Sequence, residues 1–204
     1  MQPDAPTWRE ALAAYIAREA KPAEKFGHQP RLYTLTRLIA ADLQADDDVL
    51  YAAAWLHDLG VFTGHRPEDL DLLARWDNVA YALEKTPQIL TDIAFPPEKI
   101  PAVLECIRHH QPSATPESIE STILRDADIL EQLGAIGILR TVCKVGRDTR
   151  FNTFSEAIRS LTSALDALPA RLRLTTSLLL AEGRIQAHRD FLQAVQAEAG
   201  DLLL

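Results

Sequence analysis

Apolar positions along this chain recur at intervals of three and four residues and almost nowhere alternate. Leu32, Leu35, Leu38 and Ile39 set the period over residues 30–43, which is the spacing of one helix face. No run of alternating β-branched residues is closed by Asn-Gly or Asp-Gly, so strand signals are nearly missing. Thr7 and Glu10 have capping-box spacing and open a helix predicted to reach Glu19. Pro22 interrupts, and the helix over 30–43 follows. Asp46, Asp47 and Asp48 suit the positive end of a third helix, which the pattern carries to Gly60. Pro67 fits the first turn of a short helix over 66–76. Further helices are predicted over 79–93, over 98–109 beyond Pro96-Pro97, and over 116–133. Gly134 and Gly137 are expected to loosen what comes next, and 145–152 reads as a polar loop. The last two helices cover 154–167 and 169–199. The expected fold is all-α, a single domain over residues 1–204 with a long C-terminal helix.

Charges on the apolar faces change this picture. In the helix over 116–133, Ile119, Ile123, Leu130 and Leu133 fall within an arc of about 80°. Asp126 lies inside that arc and Asp128 opposite it. A carboxylate on a buried stripe must be hydrogen-bonded, paired, metal-bound or protonated. A structural, hydrogen-bonded Asp126 and a metal-binding or catalytic one both fit. His28 shares the line of Leu32, Leu35 and Ile39, and serves either as a satisfied core histidine or as a ligand. In "AAAWLHDLG", Ala52 to Gly60, the pair His57-Asp58 ends a helix with almost no polar face. An imidazole N–H can satisfy carbonyls at a helix end, which accounts for His57. It does not account for Asp58, because the macrodipole disfavours an anion there. A bound cation would remove that objection. His109 and His110 close another helix, where capping explains each alone. His65, in a polar stretch, reads as an exposed loop residue.

Two imidazoles and two carboxylates suit a borderline or hard divalent ion: Mn, Co, Ni, Fe, Zn or Mg. No cysteine accompanies them, which argues against a thiolate zinc site. Cys106 and Cys143 are both expected to be small core residues, with no disulfide framework. The net charge of −8, without a basic run, excludes general binding of nucleic-acid polymers. The start "MQPDAPTWRE" lacks a signal-peptide pattern, and the most apolar windows are too short for a bilayer. A cytoplasmic protein without membrane contact is expected. Leu178, Leu179 and Leu180 widen the apolar band of the last helix, which packs on the domain or on a second subunit as a homo-oligomer.

The order His28, His57-Asp58, Asp126 resembles the HD superfamily of metal-dependent phosphohydrolases. "AAAWLHDLG" looks like the family's apolar helix ending in His-Asp. "IRHHQPSATPESIESTILRDADILEQLGAIGI" looks like its later segment, where histidines, a proline-containing loop and a helix carry the distal Asp. The likeness covers about residues 24–145, the core of an HD-domain helical bundle with N- and C-terminal helical extensions. It implies His28, His57, Asp58 and Asp126 as ligands of a divalent metal ion. It also implies hydrolysis of a phosphate ester, in a nucleotide or small phosphorylated metabolite, by a metal-activated water. Asp58 doubles as proton acceptor. His110 corresponds to a histidine that serves a second metal or contacts substrate phosphate and leaving group, with His109 its competitor. Arg31, one turn beyond His28, is the first candidate for substrate charge. Arg108, Arg125 and Arg147 follow as candidates, each read first as a solvated surface residue.

Departures from the family pattern matter. Dinuclear members place another histidine where this chain reads "ARWDNVAYAL". Asp77 is the candidate to replace it as an oxygen ligand of a second ion, and one ion per chain is favoured. One nucleotidase branch has a Glu where this chain has Val61, so nucleotide-monophosphatase activity is not expected. The alternatives are a non-catalytic metal- or nucleotide-binding module and a di-iron oxygenase on the same scaffold.

Overall fold

The structure, a computed structural model, describes residues 6–147 and 150–203, and only the backbone of Glu24 and Asp201. The first five residues and part of the predicted loop over 145–152 lie outside the described residues. The chain is all-α, with ten α-helices and no strand among the described residues. It divides into two compact units, residues 1–125 and 126–204.

The first unit is built around an apolar helix. The elements are α1 (Trp8–Glu19), α2 (His28–Ile39), α3 (Asp47–Leu56), α4 (Leu70–Ala74), α5 (Asn78–Asp92) and α6 (Ile100–His109). Every residue of α3 from Val49 to Leu56 is buried. With no polar face, it packs against α1, α2 and α6, and Ala52, Ala53 and Ala54 leave room for those neighbours. Its N-terminus is held electrostatically. Asp46 caps the helix, accepting from the Asp48 and Val49 amides at 2.9 and 3.3 Å. Arg9 pairs with Asp47 and Asp48, and Lys99 with Asp46 and Asp48, at 2.6–2.9 Å. On α1 the Thr7–Glu10 capping box forms as its spacing predicts.

Several boundaries shift. α2 begins at His28 rather than Pro30 and stops at Ile39. α3 ends at Leu56, not Gly60. His57 keeps helical angles, Asp58 leaves them (φ −102°, ψ 17°), and a 3-10 turn covers Leu59–Val61. Contact explains the early end. A Cβ on Gly60 would lie 2.6 Å from the Asn78 carbonyl oxygen, so α5 fixes where this turn sits. Trp76 Nε1 donates to the Gly60 carbonyl at 2.8 Å.

α7 (Ile119–Glu131) crosses the division between the units, so its residues from Asp126 on belong to the second unit. The expected outward aspartate is a correction: Asp128 is 8% exposed and Asp126 fully buried. Gln132 Nε2 donates to the Asp128 carboxylate at 3.1 Å. Arg125, expected on the surface, is also buried and donates to the Pro112 carbonyl at 2.6 Å. Arg108 and Arg147 are exposed as expected.

The second unit continues with α8 (Gly134–Val142), α9 (Phe154–Ala167) and α10 (Thr175–Ala199), with α8 and α9 packed on α10. The glycines do not loosen this region. Gly134, at φ +69°, turns the chain into α8 and lies against Arg184, which donates to the Leu130 carbonyl at 2.7 Å. Cys143 ends α8 exposed, whereas Cys106 is buried and fits the core reading. Leu178 and Leu179 of α10 are exposed. No helix among the described residues is long and apolar enough to cross a membrane.

Candidate metal centre

Three of the expected ligands meet within the first unit. α2 presents His28 at its first residue, and α3 delivers His57 and Asp58 where it ends. His28 Nε2 and His57 Nε2 are 3.3 Å apart, and both face Asp58 Oδ2, at 3.7 and 3.6 Å. One donor atom from each lies within 4.8 Å of the others, and this is the only such group of His, Cys, Asp and Glu among the described residues. Both imidazoles are buried, while the Asp58 side chain is 21% exposed.

This donor set fits a divalent ion. Two nitrogens each ~2.1 Å from one ion, at tetrahedral to right angles, are about 3.0–3.4 Å apart, which matches the Nε2 pair. Hydrogen bonding prepares the rings. His57 Nδ1 lies 3.1 Å from the Ala54 carbonyl. It donates there, which fixes the tautomer and leaves the Nε2 lone pair for a ligand role. His110 repeats the arrangement, with Nδ1 2.7 Å from the Ile107 carbonyl. Its ring stands edge-on to His57, with centroids 4.9 Å apart. His28, His57 and Asp58 can therefore hold a metal ion, with a third imidazole alongside.

Two ties place these ligands across the 29 residues that separate His28 from His57. Lys25 Nζ donates to the Val61 carbonyl at 2.9 Å, and the Thr63 amide donates to the Lys21 carbonyl at 2.9 Å. The segment entering α2 and the turn leaving Asp58 are thereby joined. Sequence reasoning missed Lys25. Its place before His28 was visible, but its acceptor, a backbone carbonyl far along the chain, left no signal.

The other candidates lie outside this three-residue group. His109 Nδ1 pairs with Glu105 at 2.9 Å. Burial pushes the Glu105 carboxyl up, but hydrogen bonds from Ser118, His109 and the Glu117 amide outweigh it and hold the group below the usual range. Asp77 caps α5, accepting from the Ala80 amide at 2.9 Å. Neither Asp77 nor His110 belongs to the three-residue group. Arg31 is an exposed residue of α2. His65 is not a free loop residue: its ring lies between Tyr81 Oη at 2.9 Å and Glu19 at 3.2 Å.

Asp126 lies in the second unit. Its carboxylate accepts from the Arg173 and Leu174 amides at 3.0 and 2.9 Å, just before α10. Those bonds supply the hydrogen-bonded surroundings that a buried carboxylate requires.

Comparison with known proteins bears on the same residues. The family model for the HD domain matches residues 26–133, over half of the chain. No curated protein sequence matches. Solved structures do. A protein from Lactobacillus plantarum is 22% identical with a TM-score of 0.70, covering 94% of this chain and 96% of that one. Bacillus subtilis YpgQ in complex with ADP is 19% identical with a TM-score of 0.70, covering 95% and 99%. A predicted HD superfamily hydrolase from an uncultured Thermotogales bacterium is 26% identical with a TM-score of 0.62, covering 94% and 92%.

Proposed function

The chain belongs to the HD-domain family, and from that premise we propose that it is a cytoplasmic metal-dependent phosphohydrolase acting on a small phosphorylated molecule, nucleotides included. The observation that carries this reading is the convergence of His28, His57 and Asp58, with the His57 tautomer set by Ala54. The family pattern names Asp126 as the fourth ligand. A divalent cation held by such a set supplies a hydroxide nucleophile near neutral pH and polarises the phosphoryl oxygen.

The remaining chemistry belongs to side chains. Asp58, the most exposed of the three clustered groups, accepts the proton of the attacking water. His110, anchored through Nδ1 on Ile107, offers Nε2 to a phosphate oxygen or to the leaving group. Arg31 offsets phosphate charge. His109 ranks below His110 because Glu105 holds it. Asp77 and His110 remain the candidates for a second ion, but the Asp77 carboxylate already caps α5, and one ion per chain is the reading adopted. The ADP bound to YpgQ and the hydrolase description of the Thermotogales neighbour support a nucleotide-like phosphate ester.

The test is metal analysis of protein purified without chelator, then a phosphate-release screen of nucleotides and small phosphoesters with that metal. About one ion per chain is expected. Release should fall at least about a hundredfold in His57→Ala, along with metal occupancy. Undiminished release from the metal-free variant would overturn the proposal. One retained ion with no release from any ester would favour a nucleotide-binding module, the reading to which the ADP complex of YpgQ also lends itself.

A further inference from the structure

Gly27 directly precedes His28 and leads into α2. Its backbone is right-handed helical (φ −63°, ψ −15°), a conformation open to any L-residue. Conformation therefore does not call for glycine at this position. Space does. A Cβ here would lie 2.9 Å from Nη1 of Arg31, and beyond its chain neighbours and the local backbone no other atom lies within 4 Å among the described residues. Real Cβ atoms essentially never approach so closely.

The Arg31 side chain thus folds back one turn and lays its guanidinium over the bare glycine. Residues four apart on a helix are neighbours on its surface, and arginine side chains on helices lean towards the N-terminus. An ordinary side chain at position 27 would occupy the space that the guanidinium uses. Arg31 is exposed, yet its head is drawn over the peptide that leads into His28. Lys25 stands just before α2 and is anchored on Val61.

We propose that Gly27 is a positioning residue for substrate phosphate: by lacking a Cβ it lets the Arg31 guanidinium lie at the His28 end of α2, where it takes phosphate oxygens. The inference rests on the phosphohydrolase reading and extends it to a residue that touches no substrate. A guanidinium matches two phosphate oxygens with a rigid fork of N–H donors, so its placement counts as well as its charge. The colliding atom is the far end of a flexible side chain. An added methyl therefore displaces the guanidinium and leaves the fold in place.

The experiment titrates inorganic phosphate into wild type, Gly27→Ala, Arg31→Ala and the double variant, by calorimetry. Thermal midpoint and metal content are measured on each. Gly27→Ala should weaken phosphate binding by about fivefold or more and Arg31→Ala by about tenfold, the scale of a charge-assisted hydrogen bond. The double variant should bind no more weakly than Arg31→Ala, within about twofold, because Gly27 acts only through Arg31. The midpoint of Gly27→Ala should stay within ~3 °C of wild type, since alanine adopts this conformation without strain, and metal content should be unchanged. Wild-type phosphate binding in Gly27→Ala, additive losses in the double variant, or no phosphate binding by wild type would each overturn the proposal. Coupled losses in a protein that hydrolyses no ester would sink the hydrolase reading and keep the Gly27–Arg31 assignment. Ester hydrolysis with phosphate binding indifferent to Gly27→Ala would do the reverse.

Discussion

Replacing Gly60 by alanine should unsettle the turn that follows the His57-Asp58 pair. The new Cβ would stand 2.6 Å from the Asn78 carbonyl oxygen, 2.8 Å from its Cα and 3.0 Å from its Cβ. Ordinary contact begins at 3.4 Å, so the shortest approach falls about 0.8 Å short. Two of the three obstacles are backbone atoms at the first residue of α5, and no rotamer change relieves them. The 3-10 turn or the start of α5 must move, at the cost of the Trp76–Gly60 hydrogen bond or of the Asp77 cap. Overpacking of this kind costs about 1–3 kcal/mol. In a chain of this length each kcal/mol lowers the melting midpoint by about 2–4 °C, so a fall of roughly 2–12 °C is expected. The assay is thermal melting followed by far-UV circular dichroism. The control is the same substitution at Gly183, in the interior of α10, where nothing lies within 4 Å of the added Cβ. Alanine is the better helix former there by about 1 kcal/mol, so the second unit should melt a few degrees higher. A midpoint for Gly60→Ala within 2 °C of wild type would refute the argument that α5 fixes this turn.

Two further outcomes follow. His188 of α10 is fully buried, and among the described residues neither ring nitrogen makes a hydrogen bond of good geometry; burial pushes its pKa below the usual histidine value, opposed by a weak approach to the Leu161 carbonyl. Between the unfolded value near ~6.5 and the lower folded value, the unfolded chain binds more protons, so stability falls as pH drops through that window. His188→Leu should remove this dependence and raise the midpoint more at pH ~5.5 than at pH ~8, by about 2–4 °C for each kcal/mol gained; parallel pH profiles for the two proteins would count against it. For the cysteines, burial pushes the Cys106 thiol well up while Cys143 is exposed. A thiol reagent should label one cysteine per chain quickly and the second only on unfolding, and two fast labels would contradict the burial of Cys106.

Local features of this chain were legible in advance because their causes are local. The Thr7–Glu10 box lies within one helical turn, and the limits of α9 follow from a period that its own residues carry. The approach of His28 to His57-Asp58 was legible in a different way. Charges on faces that had to be buried implied a shared partner, and the resemblance supplied their order. What escaped depends on partners distant in sequence. Arg125 looks solvated until the Pro112 carbonyl stands before its guanidinium, and His65 looks loose until Glu19 and Tyr81 flank it. The wheel put Asp128 outward because it assumed a helix with one solvent face. α7 has buried residues all round, including Arg125, Asp128 and Glu131. The end of α3 at Leu56 was likewise unreadable, since Asn78 decides how close Gly60 may come.

The two ties across the candidate centre, Lys25 to Val61 and Thr63 to Lys21, use only backbone groups and one ammonium. Neither spends a donor atom of His28, His57 or Asp58. The ligand-bearing segments are therefore held in register by the chain itself, unlike small metal domains whose ordering waits for the ion. Binding of a metal ion there would then involve shedding water from the incoming cation, with little refolding to wait for. Which cation such a site would take would then depend on donor geometry and on the metal the surroundings supply.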